Sequence, residues 1–240
     1  DNSDDKNFPP GKRQYTLDFA YHGGIYRDVW MIGKSSVAIT DALEADKVAG
    51  GGVFVHFDNI SGKKAEVYVD TEVHNSGKRT RTVAVETVLA DAGDVPVKRV
   101  SQQVKLQAGE SKTVRQRFAV RNPKLWYPDS PYLYRIQSRV KAGHEVLDGG
   151  VTRVGIRKAE FKGKDGFWLN GKPFGQLVGA NRHQDFAYVG NALPNSQQWR
   201  DAKRLRDAGC TIIRVAHYPQ DPAFMDACDE MGLFVIVATP

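Results

Sequence analysis

The stretch "TIIRVAHYPQDPAFMDACDEMGLFVIV", residues Thr211 to Val237, decides the reading of the second part of the chain. It opens on a short apolar run rich in β-branched residues, turns at "HYPQ", and continues into a helical pattern. Asp221 can cap that helix, Pro222 suits its first turn, and Gly232 can end it. Phe224, Cys228 and Met231 fall on one helical face, and "LFVIV" then reads as a second strand. Working outward, "NSQQWRDAKRLRDAG" predicts an earlier helix from about Ser196 to Ala208. Ser196 would be its cap, Gly209 its end, and Trp199, Ala202 and Leu205 its apolar stripe. A further strand, "GQLVGANRH", precedes it. Strands alternating with helices over short links imply a parallel sheet with right-handed crossovers.

In such sheets ligands bind beyond the C-terminal strand ends. Those ends carry Asn181, Arg182 and His183 of "NRH", then Arg214, His217 and Tyr218 of "RVAHYP", then "ATP" at Ala238 to Pro240. His217 stands at the lip of its strand, and Pro219 turns the chain away. One strand-end histidine could serve only as a local hydrogen-bond bracket; two on consecutive strands favour function. Arg214 lies inside an apolar strand, where a charge is costly without a partner. Asp226, Asp229 and Glu230 on the following helix are expected to face solvent. That leaves Asp185 on a loop, or a carboxylate outside these residues.

Before this region, residues 39 to 155 show short alternating runs separated by turns at Asn59–Gly62, Ala108–Glu110 and Lys141–His144. Val83, Val85, Thr87 and Leu89 should share a face. About seven strands with almost no helical pattern predict a two-sheet sandwich of immunoglobulin type, a module that commonly packs or connects. "FWLNGKPF" predicts a hairpin with a type I′ turn at Asn170-Gly171. Residues 1 to 38 open on a polar segment. Two apolar runs follow within "YTLDFAYHGGIYRDVWMIG", read as two strands too few to stand alone.

The 240 residues carry 41% hydrophobic and 26% charged residues, which are globular values. A net charge of +6 raises the question of nucleic acid. The densest basic patch, "GKRTRTV" (Gly77 to Val83), reads as a solvated hairpin turn, so no nucleic-acid partner is expected. No apolar run is long enough to span a membrane as a helix, and no membrane partner is expected. The chain has no initial Met and no leader-like segment, so it is expected to begin inside a longer product or after processing. Cys210 and Cys228 read as buried free thiols, and no metal-ligand spacing is present. Cysteine usage leaves the compartment unread; a periplasmic or secreted placement is favoured over a cytoplasmic one.

Taken in order, "FPPGKRQYTLDFAYHGGIYRDVW", "PKLWYPDSPYLYRI", "VGIRKAEFKGKDGFWLNGKPF", "GANRHQD" and "IIRVAHYPQDPAFMDACDEMGLFVIV" resemble glycoside hydrolase family 2. The resemblance implies a mainly β fold with an α/β tail. Residues 1–38 would end a jelly-roll sugar-binding domain, 39–155 would form an immunoglobulin-like β-sandwich, and 156–240 would begin a (β/α)8 TIM barrel. It also implies an internal fragment of a retaining enzyme acting on terminal β-linked sugars. The first reading is a β-galactosidase; a β-glucuronidase or β-mannosidase is the alternative. A non-catalytic carbohydrate-binding or assembly module is the alternative of another class. By the same resemblance His183, His217 and Asp4 would contact the sugar, and Arg214 would support a nucleophilic glutamate. Both catalytic glutamates would lie beyond these residues, so the chain alone would be inactive. After "NRH" the sequence runs "QDFAYVG", where the β-galactosidase pattern has a Glu and two histidines, which puts galactose specificity in question. A carbohydrate is the expected partner and no cofactor is expected. A metal ion in the longer enzyme, and a homo-oligomer, stay open.

Overall fold

A computed structural model describes residues 22–238, and these fall into two compact units. One comprises residues 32–127 and 132–175. The other gathers the described residues from 22 to 31, 128–131 and 176–238.

The first unit is a β-sandwich of two four-stranded sheets. In one sheet the long strand β3 (Lys64–Asn75) is central. β6 (Ser111–Arg121) runs along one edge, while β1 (Val37–Ile39) and β2 (Val53–Asp58) share the other. The second sheet has the order β5 (Pro96–Leu106), β4 (Arg81–Ala90), β7 (Tyr134–Ala142), β8 (Glu145–Val154). Alternate residues of both sheets meet between them. Val67, Val69, Leu89, Phe118, Ile136 and Ile156 form one core cluster, and Val37, Val73, Val83, Val85, Leu106 and Val140 form another. Burying each such side chain contributes about 1.5–3 kcal/mol. Val83, Val85, Thr87 and Leu89 are all buried, as the alternation predicts. Val37 and Ala38 belong to the sandwich core, two residues ahead of the expected start at 39.

Two expectations from the sequence do not hold. "GKRTRTV" does not turn a hairpin: β3 and β4 lie in different sheets, and the segment crosses between them. Asn75 is fully buried and fixes the crossover. Its amide nitrogen donates to the carbonyls of Arg79 at 2.9 Å and Gln107 at 2.9 Å, and its Oδ1 accepts from Gly77 N–H at 3.0 Å. The described part of the early apolar runs, from His22 to Ile32, contains no strand. Val29, Trp30 and Met31 are exposed there, so no sheet face collects them. The rest of those runs, and Asp4, lie outside the described residues.

The outer face of β3 carries a ladder that the alternation did not advertise. Glu66, Asp70 and Glu72 are nearly buried because cations cover them. Arg115 grips Asp70 with two nitrogens, at 2.8 and 2.7 Å, and Arg117 reaches Glu66 at 2.5 Å. Lys47 pairs with Glu72. Lys64 first, then Arg117, hold the Glu66 carboxyl down to about 2.

Beyond β8 the hairpin of β10 (Phe167–Leu169) and β11 (Lys172–Pro173) forms with β9 (Ala159–Phe161) alongside. Asn170 and Gly171 both take positive φ, 52° and 81°, as a type I′ turn requires. Asn170 also ties this hairpin to the sandwich through its amide, which donates to the Trp126 carbonyl at 3.1 Å.

The second unit holds three parallel strands in the order β12 (Gly179–Arg182), β13 (Ile212–Val215), β14 (Phe234–Val237). The helices α1 (Asn195–Asp207) and α2 (Pro222–Met231) connect them. Ile213, Val215 and Val235 pack against Trp199, Ala202, Phe224, Ala227 and Cys228, so one sheet face is covered by helices. Asp221 caps α2, its side chain accepting from Ala223 N–H at 2.8 Å, and Gly232 ends it in the left-handed conformation. Ser196 does not cap α1. The cap position is Pro194, which has no side chain to bond, and Ser196 lies inside the first turn. Cys228 is buried and Cys210 partly so; both are free thiols, and burial pushes Cys228 up to about 12. No helix among the described residues is long and apolar enough to cross a membrane.

Candidate functional site

The residues in register across the three strand ends are Arg182, Val215 and Val237. The first side chains past them are His183, Ala216 then His217, and Ala238. The two histidines come together: their rings meet edge to face, centroids 5.4 Å apart and planes at 70°. Tyr218 joins them, its ring 6.3 Å from that of His183. Its hydroxyl accepts from Gln184 N–H at 3.4 Å, and burial raises its pKa above that of a free phenol. The peptide bond between Ala216 and His217 is cis.

Arg214 sits on the sheet face away from the helices, half-buried, in a shallow hollow of about 390 Å³ shared with Gly179, Asn181, Ile212 and Ile236. Its Nη2 lies 3.3 Å from His217 Nδ1. Arginine can only donate, so Nδ1 accepts and the His217 proton sits on Nε2. No carboxylate lies within 4.0 Å of Arg214 among the described residues, and Asp185 is exposed on the loop after β12. The buried arginine that meets a carboxylate among the described residues is Arg182, for which the sequence had not suggested a partner.

Arg182 is 6% exposed and sits on the helix side of the sheet. Its Nη2 donates to Asp201 Oδ2 at 2.6 Å and Gln198 Oε1 at 2.8 Å, both on α1. Its Nη1 donates to Gln220 Oε1 at 2.5 Å, and the guanidinium lies 4.0 Å over the Phe224 ring. The available signal was on α1: Gln198 and Asp201 are polar at positions that share the face of Ala202 and Leu205. Gln184 adds a second tie, its Oε1 accepting from Asp221 N–H at 2.9 Å. The loops bearing the histidines are thus fastened to the starts of both helices.

Chemically, the cluster offers imidazole, a phenol and a guanidinium at a strand end. This set donates and accepts hydrogen bonds to hydroxyl-rich ligands and attracts a carboxylate. Among the described residues no group of three or more His, Cys, Asp or Glu side chains is placed to hold a metal ion. The acidic residues that follow the strand ends are Asp185, exposed, and Asp221, engaged as the cap of α2.

Comparison with known proteins matches both parts of the chain. The sequence family described as glycosyl hydrolases family 2 matches residues 52–157, and its TIM barrel domain matches residues 160–240. A beta-galactosidase of Thermoanaerobacter pseudethanolicus is 33% identical over 100% of this chain and 30% of its own length. A beta-glucuronidase of Formosa agariphila is 31% identical over 90% of this chain and 22% of its own. Among solved structures, beta-glucuronidase 2 of Bacteroides uniformis, covalently bound to cyclophellitol-6-carboxylate aziridine, superposes with a TM-score of 0.87. It is 28% identical over 98% of this chain and 28% of that one. The chain therefore spans under a third of the length of these relatives.

Proposed function

The chain belongs to glycosyl hydrolases family 2, and from that premise we propose that the protein carrying it is a retaining β-glycosidase. It removes terminal β-linked sugars, with β-galactosides as the first substrate class and β-glucuronides as the second. The observation that carries this reading is the meeting of His183, His217 and Arg214 at the C-terminal ends of β12 and β13.

Retaining hydrolysis uses two carboxyl groups about 5–5.5 Å apart, one as acid/base and one as nucleophile. On this reading both come from later barrel strands. His183 and His217 bond sugar hydroxyls, and Arg214 holds the nucleophilic carboxylate ionised and oriented. A relative bound covalently by an aziridine supports a nucleophile in this family's site. The reading keeps the residues ahead of β1 as the end of a jelly roll, with Asp4 reaching the sugar, Val37 to residue 155 as the sandwich and 156–240 as the start of the barrel.

The test compares the 240-residue chain with the longer protein containing it, on chromogenic β-galactoside and β-glucuronide. The longer protein should turn over one of them and the chain neither. No hydrolysis by the longer protein overturns the activity. Hydrolysis by the chain alone, surviving repurification, overturns the placement of the carboxyl pair.

A further inference from the structure

We infer that Gln220 is a positioning residue, whose carboxamide sets the two strand ends from which His183 and His217 project. Gln220 is 5% exposed. Its Nε2 donates to the Arg182 carbonyl at 2.5 Å and approaches the Ala216 carbonyl at 3.5 Å. Those two carbonyls belong to the peptide groups that lead directly into His183 and His217. The Arg182 carbonyl also accepts from Ala216 N–H at 2.9 Å, so the two strand ends and the one side chain form a closed set. On its other side Gln220 Oε1 receives the Arg182 guanidinium, which α1 anchors through Gln198 and Asp201.

The chemistry of this position is narrow. A buried carboxamide is costly unless its polar atoms are bonded, and here both of them are. A glutamine amide presents an acceptor and two donors on one planar group, and asparagine is one methylene too short to keep the same reach. A residue placed merely to fill space at this buried position would be apolar. The bracket fixes the backbone from which the imidazoles hang, and with it their edge-to-face contact and the Arg214–His217 hydrogen bond that selects the Nε2–H tautomer. The consequence for catalysis rests on the glycosidase reading; the consequence for geometry does not.

The experiment is NMR of the 240-residue chain with labelled histidines. Gln220→Glu is isosteric and keeps the acceptor for Arg182 but removes both donated contacts. The expected result is at least a twofold loss of the His183–His217 ring-to-ring NOE, and a His217 nitrogen pattern moved from the single Nε2–H tautomer toward a mixture. Leu233→Val, a loosening of the same core, should lower stability and leave both signals in place. If Gln220→Glu does not fold, Gln220→Asn is read in the same way, and a reduced NOE is again expected. Unchanged signals in the folded variant, or an equal disturbance in Leu233→Val, overturn the inference. In the longer protein Gln220→Glu should lower kcat more than it raises KM. If that protein proves to hydrolyse no glycoside, the NMR result still decides the positioning role by itself.

Discussion

The imidazoles of His183 and His217 stand edge to face, 5.4 Å between centroids, although the residues come from different strands. Each is half-buried, with Arg214 fixing the proton of His217 on Nε2. Both rings stand past the strand ends, and neither belongs to the apolar cluster of this unit. His183→Ala and His217→Ala in the longer protein should therefore lower turnover of its glycoside. A lost hydrogen bond worth about 1–3 kcal/mol corresponds to roughly 5- to 150-fold. Thermal stability should change little. A lowered melting temperature with normal turnover would instead make both residues structural brackets.

Arg182 and Asp201 give the opposite expectation. Asp201→Ala leaves a guanidinium buried without its carboxylate, and breaking such a pair costs about 3–5 kcal/mol. Because the Asp201 side chain keeps 24% of its exposure, the low end applies. Adding Arg182→Met removes the stranded charge, so the double variant should recover part of the loss. Urea unfolding of the three proteins measures this. A double variant less stable than Asp201→Ala would count against the charge argument.

The contrast between the two arginines marks how much the sequence disclosed. Strand alternation, the Asn170-Gly171 turn and the Asp221 and Gly232 caps are local signals, set by residues close in sequence, and all were legible. Which face of a short parallel strand meets the helices is not local. β12 reads Gly-Ala-Asn-Arg, and two small residues give no periodicity to show that Arg182 points to α1 while Asn181 shares the open hollow with Arg214. Gln220 carried no signal, since the bonds it donates go to carbonyls that any sequence possesses. The crossover of Gly77–Thr80 was read as a hairpin for the same reason: the Asn75 bracket that makes it cross bonds backbone groups of Arg79 and Gln107.

The acidic ladder on β3 sets a pH dependence. Lys64 and Arg117 lower the Glu66 carboxyl from 4.5 to about 2, and Lys47 lowers Glu72. A carboxyl depressed in the folded state stabilises fully above its unfolded pKa. That contribution should drain away as pH falls from 4.5 toward 2. Denaturant midpoints across this window should drop in the parent chain and drop less steeply in Glu66→Gln. Equal slopes would show that Glu66 does not carry the effect.

Two glycines that end helices should respond unequally to alanine. Gly209 has φ +87° with open space around it, whereas a Cβ on Gly232, at φ +74°, would lie 2.0 Å from the Pro128 carbonyl oxygen. Gly209→Ala should cost about 1–2 kcal/mol, the left-handed backbone penalty alone. Gly232→Ala must also displace main chain, and should cost on the order of 4 kcal/mol or more. Thermal melts followed by circular dichroism distinguish the two; equal shifts would mean that the Pro128 segment yields freely.

β14 is the edge where the fold is most vulnerable. It pairs with β13 on one side only among the described residues, and its Ile236 and Val237 are 51% and 47% exposed. An apolar edge strand with unpaired backbone groups invites another chain to add to it. The central sandwich strands β3, β4 and β7 have neighbours on both edges and a core on one face. Native hydrogen exchange should therefore show their amides protected at any concentration. The β14 amides should exchange quickly in dilute solution, because opening that strand exposes little additional surface. At higher concentration they should slow as copies associate through the edge, and size-exclusion elution should shift in parallel. Strong β14 protection in a protein that stays monomeric over the whole range would mean that the three-stranded sheet is stable without any further strand, and would remove the reason to expect one beside it.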